Sequence, residues 1–450
     1  MIKLPSQVKT AISKLAENGF EAYIVGGCVR DSLLGMEAHD YDITTSAQPE
    51  EVKKVFIGYR VIETGIKHGT VTVIINKMPL EITTFRIDSD YCDNRHPENV
   101  TFTKSLKEDT ARRDFTMNAI AYSDETGVCD YYNGTNDLNN KIIRCVGDAD
   151  KRFNEDALRI MRALRFSSTL GFDIEQSTKA AIFKNKELLK NISSERIASE
   201  FVKLLCGKNV KNVLLEYAGV ISVIIPEITP MIGFDQKNIH HIYDVYTHTV
   251  TAVDNIENEP VLRMAAFFHD IGKPRCFFEK DGQGHFYGHA QVGAEMTSHI
   301  LRRLKFDNAA RETVVKLVKL HDVQIEQTET AVKRCMNRHS PEIFFMLLKI
   351  KRADTKAQSP ICFSRLEYLD GLEKTADKIL NSKECFSLKQ LEVNGSDIIS
   401  LGISPGRQIG VILNRLLDEI IKSSLTNEKQ VLLEYIKENF LTENNNMHDK

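Results

Sequence analysis

The chain has 450 residues, of which 42% are hydrophobic and 27% charged, and its formal net charge is -3. This is the balance of an ordinary globular protein of about three domains. The small net charge excludes a global positive field, so any nucleic-acid site must be a local basic patch. The nine cysteines include no C-x-x-C pair, which argues against a zinc ribbon or disulfide scaffold and predicts a cytoplasmic protein.

The N-terminal segment has the pattern of an amphipathic helix. Val8, Ala11, Ile12 and Leu15 recur at helical spacing, which differs from the pattern of a signal peptide. No apolar run in the chain is long enough to cross a bilayer, so no membrane partner is expected.

The first third of the chain mixes strands with helices. An apolar strand at 22–25 ends in Gly26-Gly27, and the segments 71–75 and 80–84 alternate and form a predicted hairpin. From about residue 106 the pattern predicts helices almost throughout. One begins with a cap at Ser105 and runs to Ile120, and another begins at 154–156 and ends at Gly171.

Two carboxylates two residues apart, Asp40 and Asp42, are candidate catalytic metal ligands. On a strand they would project from the same face, and adjacent like charges favour a cation between them. Mg²⁺ takes oxygen ligands and substrate phosphates and would suit this pair. Glu81 on the predicted hairpin is a candidate third carboxylate, and an exposed strand residue is the alternative.

Two further motifs could hold a triphosphate. Glycines at 26 and 27 allow backbone N–H groups to approach a phosphate, with Arg30 adding charge. The triplet Arg112-Arg113-Asp114 could hold triphosphate and ribose, and a solvated helix face is the alternative.

A later motif suggests how bases are selected. Asp156 and Arg159 are expected on one helix face, continued by Arg162 and Arg165. Cytosine and adenine each present an amino donor beside a ring-nitrogen acceptor, which an Asp–Arg pair matches. Uracil and guanine present the opposite pattern and would be rejected. An ordinary salt-bridged helix is the alternative.

Five motifs in this order resemble the class II CCA-adding enzymes of the tRNA nucleotidyltransferase/poly(A) polymerase family. They are GGCVRD at 26–31, DYD at 40–42, RRDFTMNA at 112–119, EDALRIMRALRF at 155–166 and NGSDIISLGISPGRQIGVIL at 394–413. The resemblance implies an α+β fold with a polymerase-β-like head containing a mixed sheet, then an elongated all-α neck, body and tail. We expect the head at 1–145, the neck at 146–232, the body at 240–360 and the tail at 361–450.

The resemblance also implies a reaction. The chain would add CCA to the tRNA 3′ end from CTP and ATP without a template, with Asp40 and Asp42 holding Mg²⁺ and the tail gripping the acceptor arm. The nucleotide-binding residues would be Gly26, Gly27, Arg30, Arg112, Arg113, Asp114, Asp156, Arg159, Arg162 and Arg165. The segment 86–103 resembles the loop of full CCA-adding members, which favours addition of the terminal A. Monomer and dimer both stay open.

Histidines and aspartates recur in the region of the expected body. The segment FFHDIGK at 267–273 resembles the signature of the HD phosphohydrolase superfamily. The expected ligands are His248, His269, Asp270 and Asp354, with His289 and His321 as second ligands or phosphate contacts. These groups suit a divalent transition metal such as Mn, Ni or Co. The alternatives are hydrolysis of cyclic phosphodiester or phosphomonoester ends and a metal-stabilised structural domain.

Other functions share parts of this pattern. The rivals are an A-adding specialist, a poly(A) polymerase, a regulatory enzyme that joins nucleotidyltransferase and HD domains, and a non-catalytic RNA-binding protein.

RNA phosphates would be contacted from three basic clusters, at 184–211, 302–305 and 349–352. The sequence does not choose among these clusters.

Overall fold

The computed structural model describes residues 2–38, 40–88 and 100–441. The chain divides into two compact units, Met1–Thr229 with Ile300–Phe306 and Pro230–His299 with Asp307–Lys450. The first contains a mixed sheet and helices, and the second is helical apart from one small hairpin. The predicted α+β class is therefore confirmed.

The first unit is built on a seven-stranded sheet of order β3-β4-β5-β2-β1-β8-β9. β2 and β5 are parallel, and the other neighbours are antiparallel. The strands of this unit, including short pairs outside the main sheet, are β1 (Ala22–Val25), β2 (Asp42–Thr45), β3 (Arg60–Ile62), β4 (Thr70–Ile75), β5 (Met78–Thr84), β6 (Arg86–Asp88), β7 (Val100–Phe102), β8 (Ile120–Ser123), β9 (Gly127–Asp130), β10 (Ile142–Ile143) and β11 (Asp173–Ile174).

The predicted hairpin is β4 and β5. Val71, Val73 and Ile75 are buried on alternate positions of β4, as a strand with one core face requires. The turn is two residues long, Asn76 and Lys77, and both have positive φ, which matches the right-handed twist of the strands.

Along the chain, the first seven helices of the first unit are interspersed with its strands, and the last four follow the strands. They are α1 (Ser6–Glu17), α2 (Gly27–Leu33), α3 (Pro49–Val55), α4 (Leu106–Ala111), α5 (Gly134–Asn139), α6 (Ala149–Glu155), α7 (Leu158–Leu170), α8 (Gln176–Asn185), α9 (Ser194–Leu205), α10 (Val210–Glu216) and α11 (Ala218–Ile224). The predicted N-terminal helix is α1, and it buries Val8, Ala11 and Leu15.

Two helix predictions were wrong in their bounds. Ser105 does cap α4, but the helix ends at Ala111, and Ile120 begins the buried strand β8 beside β1. The second helix does not begin at 154–156: α6 ends at Glu155, and α7 begins at Leu158. The Asp156 carboxylate accepts from the Leu158 N–H at 3.1 Å, which caps the new helix and explains the break. Its predicted end at Gly171 is confirmed.

The second unit packs α12, α13, α16 and α18 around a core of long apolar side chains. A separate cluster of buried residues, centred on Ile412, Leu416 and Leu432, holds the last three helices together. The elements of this unit are α12 (Val245–Asp254), α13 (Pro260–Phe268), α14 (Lys273–Cys276), β12 (Phe278–Lys280), β13 (Gln283–His285), α15 (His289–Arg303), α16 (Asn308–Leu320), α17 (Glu329–His339), α18 (Pro341–Lys356), α19 (Ser364–Asn381), α20 (Gly395–Ser400), α21 (Arg407–Ile421) and α22 (Lys429–Ile436).

Short helical turns complete the secondary structure. They are the 3-10 turns Ile66–His68, Thr116–Asn118, Lys186–Asn191, Pro226–Met231, Pro360–Cys362 and Leu388–Gln390 and the π-helical turn Lys437–Leu441. Within the residues that the structure describes, no helix has the length and apolar character needed to cross a membrane.

Candidate active site and metal centre

The three predicted carboxylates lie together near the start of the interior strand β2, at the edge of the sheet where this strand begins. Asp42 begins β2 and is in register with Glu81 on the parallel strand β5, so the two side chains project from the same face. Asp40 precedes the strand and is exposed. The surrounding protein desolvates Glu81 and raises its pKa, and the charges of Asp42 and Asp40 add to this. Mutual repulsion of this kind indicates a place for a cation.

The glycine turn brings an arginine to the same edge. Gly26 has φ +84, and a Cβ there would lie 2.8 Å from Nη1 of Arg113. No carboxylate oxygen lies within 4 Å of the Arg113 guanidinium among the residues described. Burial lowers the pKa of Arg113, and Asp109 only partly opposes this. The charge of Arg113 therefore acts on Asp42, and the guanidinium forms no close ion pair within the described residues.

The neighbouring Arg112 has a structural contact instead. Its Nε and Nη2 donate to Oδ1 of the buried Asp109 at 3.0 and 2.9 Å, and Thr44 of β2 donates to the other oxygen at 2.8 Å. Asp109 therefore ties the end of α4 to the strand that carries Asp42. The predicted nucleotide contact of Arg112 would require a change of partner.

Three predicted arginines surround one aromatic ring. The guanidinium carbons of Arg30, Arg162 and Arg165 lie 4.8, 5.5 and 3.7 Å from the centre of the buried Phe166 ring. Stacking on one ring fixes the guanidinium planes and is favourable when they are shielded from water. Phe166 thus positions arginines from α2 and α7 relative to one another.

Carboxylates fix the outer ends of these arginines. Nε of Arg162 donates to Asp114 at 2.8 Å, and Arg165 forms an ion pair with the buried Glu200 at 2.6 Å. Arg30 pairs with Asp31 at 2.7 Å and also donates to the amide oxygen of Asn118 at 2.8 Å. The predicted nucleotide ligand Asp114 is therefore occupied by Arg162 in this structure.

The expected base-selecting pair is split between different partners. Asp156 lies outside both flanking helices and accepts from Nη2 of Arg196 on α9 at 2.8 Å. The Arg159 guanidinium donates to Glu155 at 2.8 Å and to the Arg112 carbonyl at 2.8 Å. The expectation that Asp156 and Arg159 share one helix face was wrong, because the chain leaves helical geometry at Asp156.

All six predicted ligands of the second centre converge within the second unit. They form two groups in which the ligand atoms lie within 4.8 Å of one another: His248, His269 and Asp354, and Asp270, His289 and His321. Oδ2 of Asp270 lies 3.2 and 3.1 Å from the first pair of imidazoles, and Oδ1 lies 3.4 and 3.7 Å from the second pair. Asp270 therefore connects the two groups.

The tautomers of the four imidazoles favour metal binding. Each Nδ1 faces a backbone carbonyl at 2.6–3.2 Å, so each must carry the ring proton. The Nε2 atoms face one another, at 3.3 Å in one pair and 3.1 Å in the other, a separation that a metal ion or a proton between them stabilises. An Nδ1–H bonded to a carbonyl is the usual support of a ligating histidine.

Charges and close packing hold this centre in place. The amine of the buried Lys273 lies 2.7 Å from Asp270 and donates to Gln236 at 2.8 Å. Although burial opposes ionisation, His269 and Lys273 hold the pKa of Asp270 well below its usual range. A Cβ on Gly272 would lie 2.3 Å from the His289 carbonyl, so only glycine lets the segment after Asp270 approach α15.

Most of the predicted basic clusters are engaged within the protein. Lys184 pairs with Asp150, Arg303 with Glu227, and Lys351 donates to backbone carbonyls. By contrast, Lys203 and Lys208 are exposed, and neither has a carboxylate partner within 4 Å in the described part of the chain.

The structure adds residues that sequence reasoning missed. Glu200 and Arg196 lie one turn apart on α9, in the segment SERIASEFVKLL, which was treated only as a lysine-bearing helix. The available signal was a pair of charges one turn apart on a strongly amphipathic helix, each next to a buried apolar residue. Of the loop expected at 86–103, residues 89–99 lie outside those described; β6 and β7 at its ends pair antiparallel.

Comparisons with known proteins cover nearly the whole chain. The CCA-adding enzyme of Lactobacillus helveticus is 33% identical over 443 residues, covering 97% of this chain and 98% of the relative. That of Ligilactobacillus salivarius is 34% identical over 441 residues, covering 96% and 97%. A crystal structure of the Bacillus stearothermophilus CCA-adding enzyme in complex with CTP matches with TM-score 0.71 and 28% identity, covering 98% of this chain and 100% of that one.

Family models and a second structure agree with these relatives. The models are described as Poly A polymerase head domain, at 22–144, "Probable RNA and SrmB-binding site of polymerase A", at 171–232, and tRNA nucleotidyltransferase domain 2, at 286–436. The Thermotoga maritima CCA-adding enzyme complexed with tRNA matches with TM-score 0.59, 18% identity and coverage of 96% and 94%, which supports the fold.

Proposed function

Because the chain belongs to the CCA-adding enzyme family, we propose that it adds C, C and A in order to the 3′ end of tRNA. CTP and ATP are the substrates, and no nucleic-acid template is used. The observation that carries this proposal is the register of Asp42 with Glu81 beside Asp40, with the buried guanidinium of Arg113 at the same edge. We propose a cytoplasmic location, which the bacterial tRNA-processing relatives support.

We propose Mg²⁺ as the cation of the carboxylate edge. The charge of Asp40 contributes to raising the pKa of Asp42, and both charges contribute to raising that of Glu81, so the three carboxylates form a donor set of the kind that Mg²⁺ prefers. Asp40 and Asp42 would hold it, with Glu81 as a third ligand or a support. When bound, Mg²⁺ neutralises triphosphate charge and favours ionisation of the attacking hydroxyl.

The chain's own residues would position the reacting groups. Arg113 and Arg30 are proposed to bind triphosphate oxygens beside Gly26 and Gly27, where the absence of Cβ atoms leaves room. The 3′-hydroxyl of tRNA attacks the α-phosphorus of CTP or ATP, the bond to the β-phosphate oxygen breaks, and pyrophosphate leaves. Holding both reactants in line supplies much of the acceleration.

We propose that Asp156 and Arg159 select the base after exchanging partners. The amino group of cytosine or adenine would replace Arg196 at the Asp156 carboxylate, and the ring nitrogen would accept from Arg159. Arg162 and Arg165, fixed on Phe166, would flank the base. Uracil and guanine would leave both protein groups unpaired in a confined site, which is the basis of rejection.

The test is incorporation on defined tRNAs. Purified protein with Mg²⁺ is incubated with tRNAs that end before the first C, after one C and after CC, with single and mixed nucleotides. Ordered addition of C, C and A followed by arrest supports the proposal. Addition of A only to the CC-ended tRNA would identify an A-adding specialist, and unlimited A on any RNA a poly(A) polymerase.

We further propose that the second unit is a metal-dependent phosphohydrolase. The observation that favours this is the set of four Nδ1-bonded imidazoles with Asp270 between the two groups. Imidazoles with carboxylates suit Mn, Ni or Co. When bound, such a metal activates water near neutral pH.

Hydrolysis is tested with phosphomonoesters and 2′,3′-cyclic phosphodiesters in the presence of each metal. Turnover that His269→Ala abolishes, with CCA addition unchanged, supports the hydrolase. Bound metal with no turnover of any phosphoester would show that the metal is structural.

A further inference from the structure

We propose that the hairpin β12–β13 carries a base-stacking platform for the second centre, so that its substrate is a nucleotide phosphoester. This rests on the proposed hydrolase function of that centre. The platform is defined as Phe278, His285 and Tyr287, three aromatic side chains on or directly after the hairpin.

The three rings of the platform lie in mutual contact: His285 stacks on both of the others, while the Phe278 and Tyr287 rings are 5.5 Å apart and tilted by 36°. The centres of Phe278 and His285 are 5.2 Å apart at 24°, and those of His285 and Tyr287 are 5.6 Å apart at 14°. Tyr287 is 75% exposed. A large aromatic ring held by its neighbours and open to solvent presents a flat surface on which any base can stack.

The platform opens directly onto the metal ligands. A cavity of about 300 Å³ is lined both by His285 and Tyr287 of the platform and by His289, His321 and Asp354 of the metal groups. Tyr287 precedes the ligand His289 by only two residues. A base on the platform would therefore place the attached ribose phosphate towards the metal groups.

The same cavity contains a cation that is free to bind phosphate. Arg365 is exposed, lines the cavity and donates through Nη1 to Gln358 at 3.1 Å. No carboxylate oxygen lies within 4 Å of it in the part of the chain that the structure describes. Lys273 lines the cavity too, but Asp270 and Gln236 occupy its amine. Arg365 is thus the available phosphate ligand.

These features distinguish a nucleotide from other phosphoesters. A sugar phosphate would use Arg365 and the metal groups but leave the platform in water, whereas a nucleotide engages both. In the reaction, water adds to phosphorus, the bond from phosphorus to the ribose oxygen breaks, and that oxygen takes the proton that the water loses.

Because the chain has no tryptophan, binding at the platform can be observed without hydrolysis. Tyr287→Trp introduces the only tryptophan of the chain, whose fluorescence is excited separately from that of tyrosine. The full-length variant is titrated with adenosine 3′-monophosphate, ribose 5-phosphate and inorganic phosphate without added metal. We expect quenching by the nucleotide at concentrations at least tenfold below those at which the base-free ligands act. Tyr131→Trp, in the first unit, is the matched control and should not respond. Equal responses to nucleotide and ribose phosphate, or no response, would overturn the platform.

Hydrolysis separates this inference from the function on which it rests. With metal, Tyr287→Ala should lower kcat/KM for adenosine 3′-monophosphate about tenfold or more, as loss of one stacked base predicts. It should leave ribose 5-phosphate turnover unchanged, and Tyr131→Ala, at an exposed tyrosine of the first unit, should change neither. An equal loss on both substrates overturns the platform. Absence of turnover by the unmodified protein overturns the hydrolase, while the fluorescence titration still decides whether the platform binds bases.

Discussion

The carboxylate of Asp156 is held by the Arg196 guanidinium at 2.8 Å, not by Arg159 three residues further along the chain. Arg159 itself is buried and donates to Glu155 and two backbone carbonyls. The two proposed base-selecting groups are therefore kept apart and already hydrogen-bonded. Under the proposed selection, a correct base would replace these bonds with equivalent ones, whereas a wrong base would break them without compensation, so the paired state would itself oppose misincorporation.

Asp156→Ala should remove the choice between bases. The cost of burying an unpaired carboxylate against UTP or GTP disappears, so discrimination against these nucleotides should fall by about 100-fold or more. The measurement is kcat/KM for each of the four nucleotides on a tRNA that lacks CCA. Unchanged discrimination would exclude Asp156 from base selection.

Arg196→Ala tests the partner of Asp156 separately. We expect a smaller loss of discrimination, about tenfold, because Asp156 remains but is no longer oriented. Arg196→Lys is the control: it keeps the charge and loses the planar two-pronged geometry, so its effect should be intermediate. Equal selectivity in all three proteins would assign Arg196 a purely structural contact.

Asp42→Asn should abolish nucleotide transfer and raise the melting temperature measured without metal. Desolvation and the charge of Asp40 raise the pKa of Asp42. At a pH above the unfolded-state pKa of about 3.9, the ionised carboxylate therefore destabilises the folded protein. The neutral amide removes that penalty at pH 7, and the difference should vanish below about pH 4. Mg²⁺ should stabilise the unmodified protein more than the variant. A lower melting temperature would contradict the electrostatic account.

Asp114→Asn should have the opposite effect on stability. Although burial opposes ionisation, Arg162 and Asn118 hold the pKa of Asp114 well below its usual range. This stability is present above the unfolded pKa of about 3.9 and is lost as the pH falls below it. Breaking the buried pair should cost about 3 kcal/mol at pH 7, or roughly 6 to 12 °C in Tm.

Asp124→Asn is the matched control for this measurement. Its carboxylate forms a surface ion pair with Lys9 at 2.9 Å and should change stability by less than about 0.5 kcal/mol. Thermal melts of both variants at pH 7 and at about pH 2 check the sign, because the contribution is lost only as the pH falls from the unfolded pKa of about 3.9 towards the much lower folded pKa. A pH-independent loss in Asp114→Asn would indicate packing rather than charge.

His269→Ala should release metal from the second unit without affecting CCA addition. The substitution removes one ligand of the first group and also removes the imidazole that lies 3.1 Å from the Asp270 carboxylate. Elemental analysis after dialysis should show at least one fewer equivalent of transition metal. His299→Ala, a histidine outside both groups, should retain the metal content of the unmodified protein.

Lys203→Ala with Lys208→Ala should weaken tRNA binding and its salt dependence. Each lost phosphate contact lowers the slope of log affinity against log salt by about 0.7 to 0.9. Between 50 and 200 mM salt, the slope of log affinity against log salt should therefore become shallower by roughly 1.5. Lys184→Ala, whose amine pairs with Asp150, is expected to leave the slope unchanged.

Local patterns predicted well those features that depend on neighbours in sequence. The strand ending at Gly26, the β4–β5 hairpin, the Ser105 cap and the end at Gly171 all follow from periodicity and turn chemistry. The two wrong bounds have different causes: Ile120 is apolar enough for either element and pairing with β1 made it a strand, whereas the Asp156 carboxylate bonds the Leu158 N–H and separates α6 from α7.

The sequence by itself determined the identity of the chemical groups and their family, because five motifs in order carry that information. It also determined that His248, His269, Asp270 and Asp354 belong together. Tertiary structure decided the partners. Asp42 meets Glu81 only because β2 and β5 are parallel neighbours, and Asp156 meets Arg196 only because α9 returns to the α6–α7 break. Hydrogen bonds and ion pairs between distant residues depend on angstrom-scale approach, which spacing along the chain does not encode.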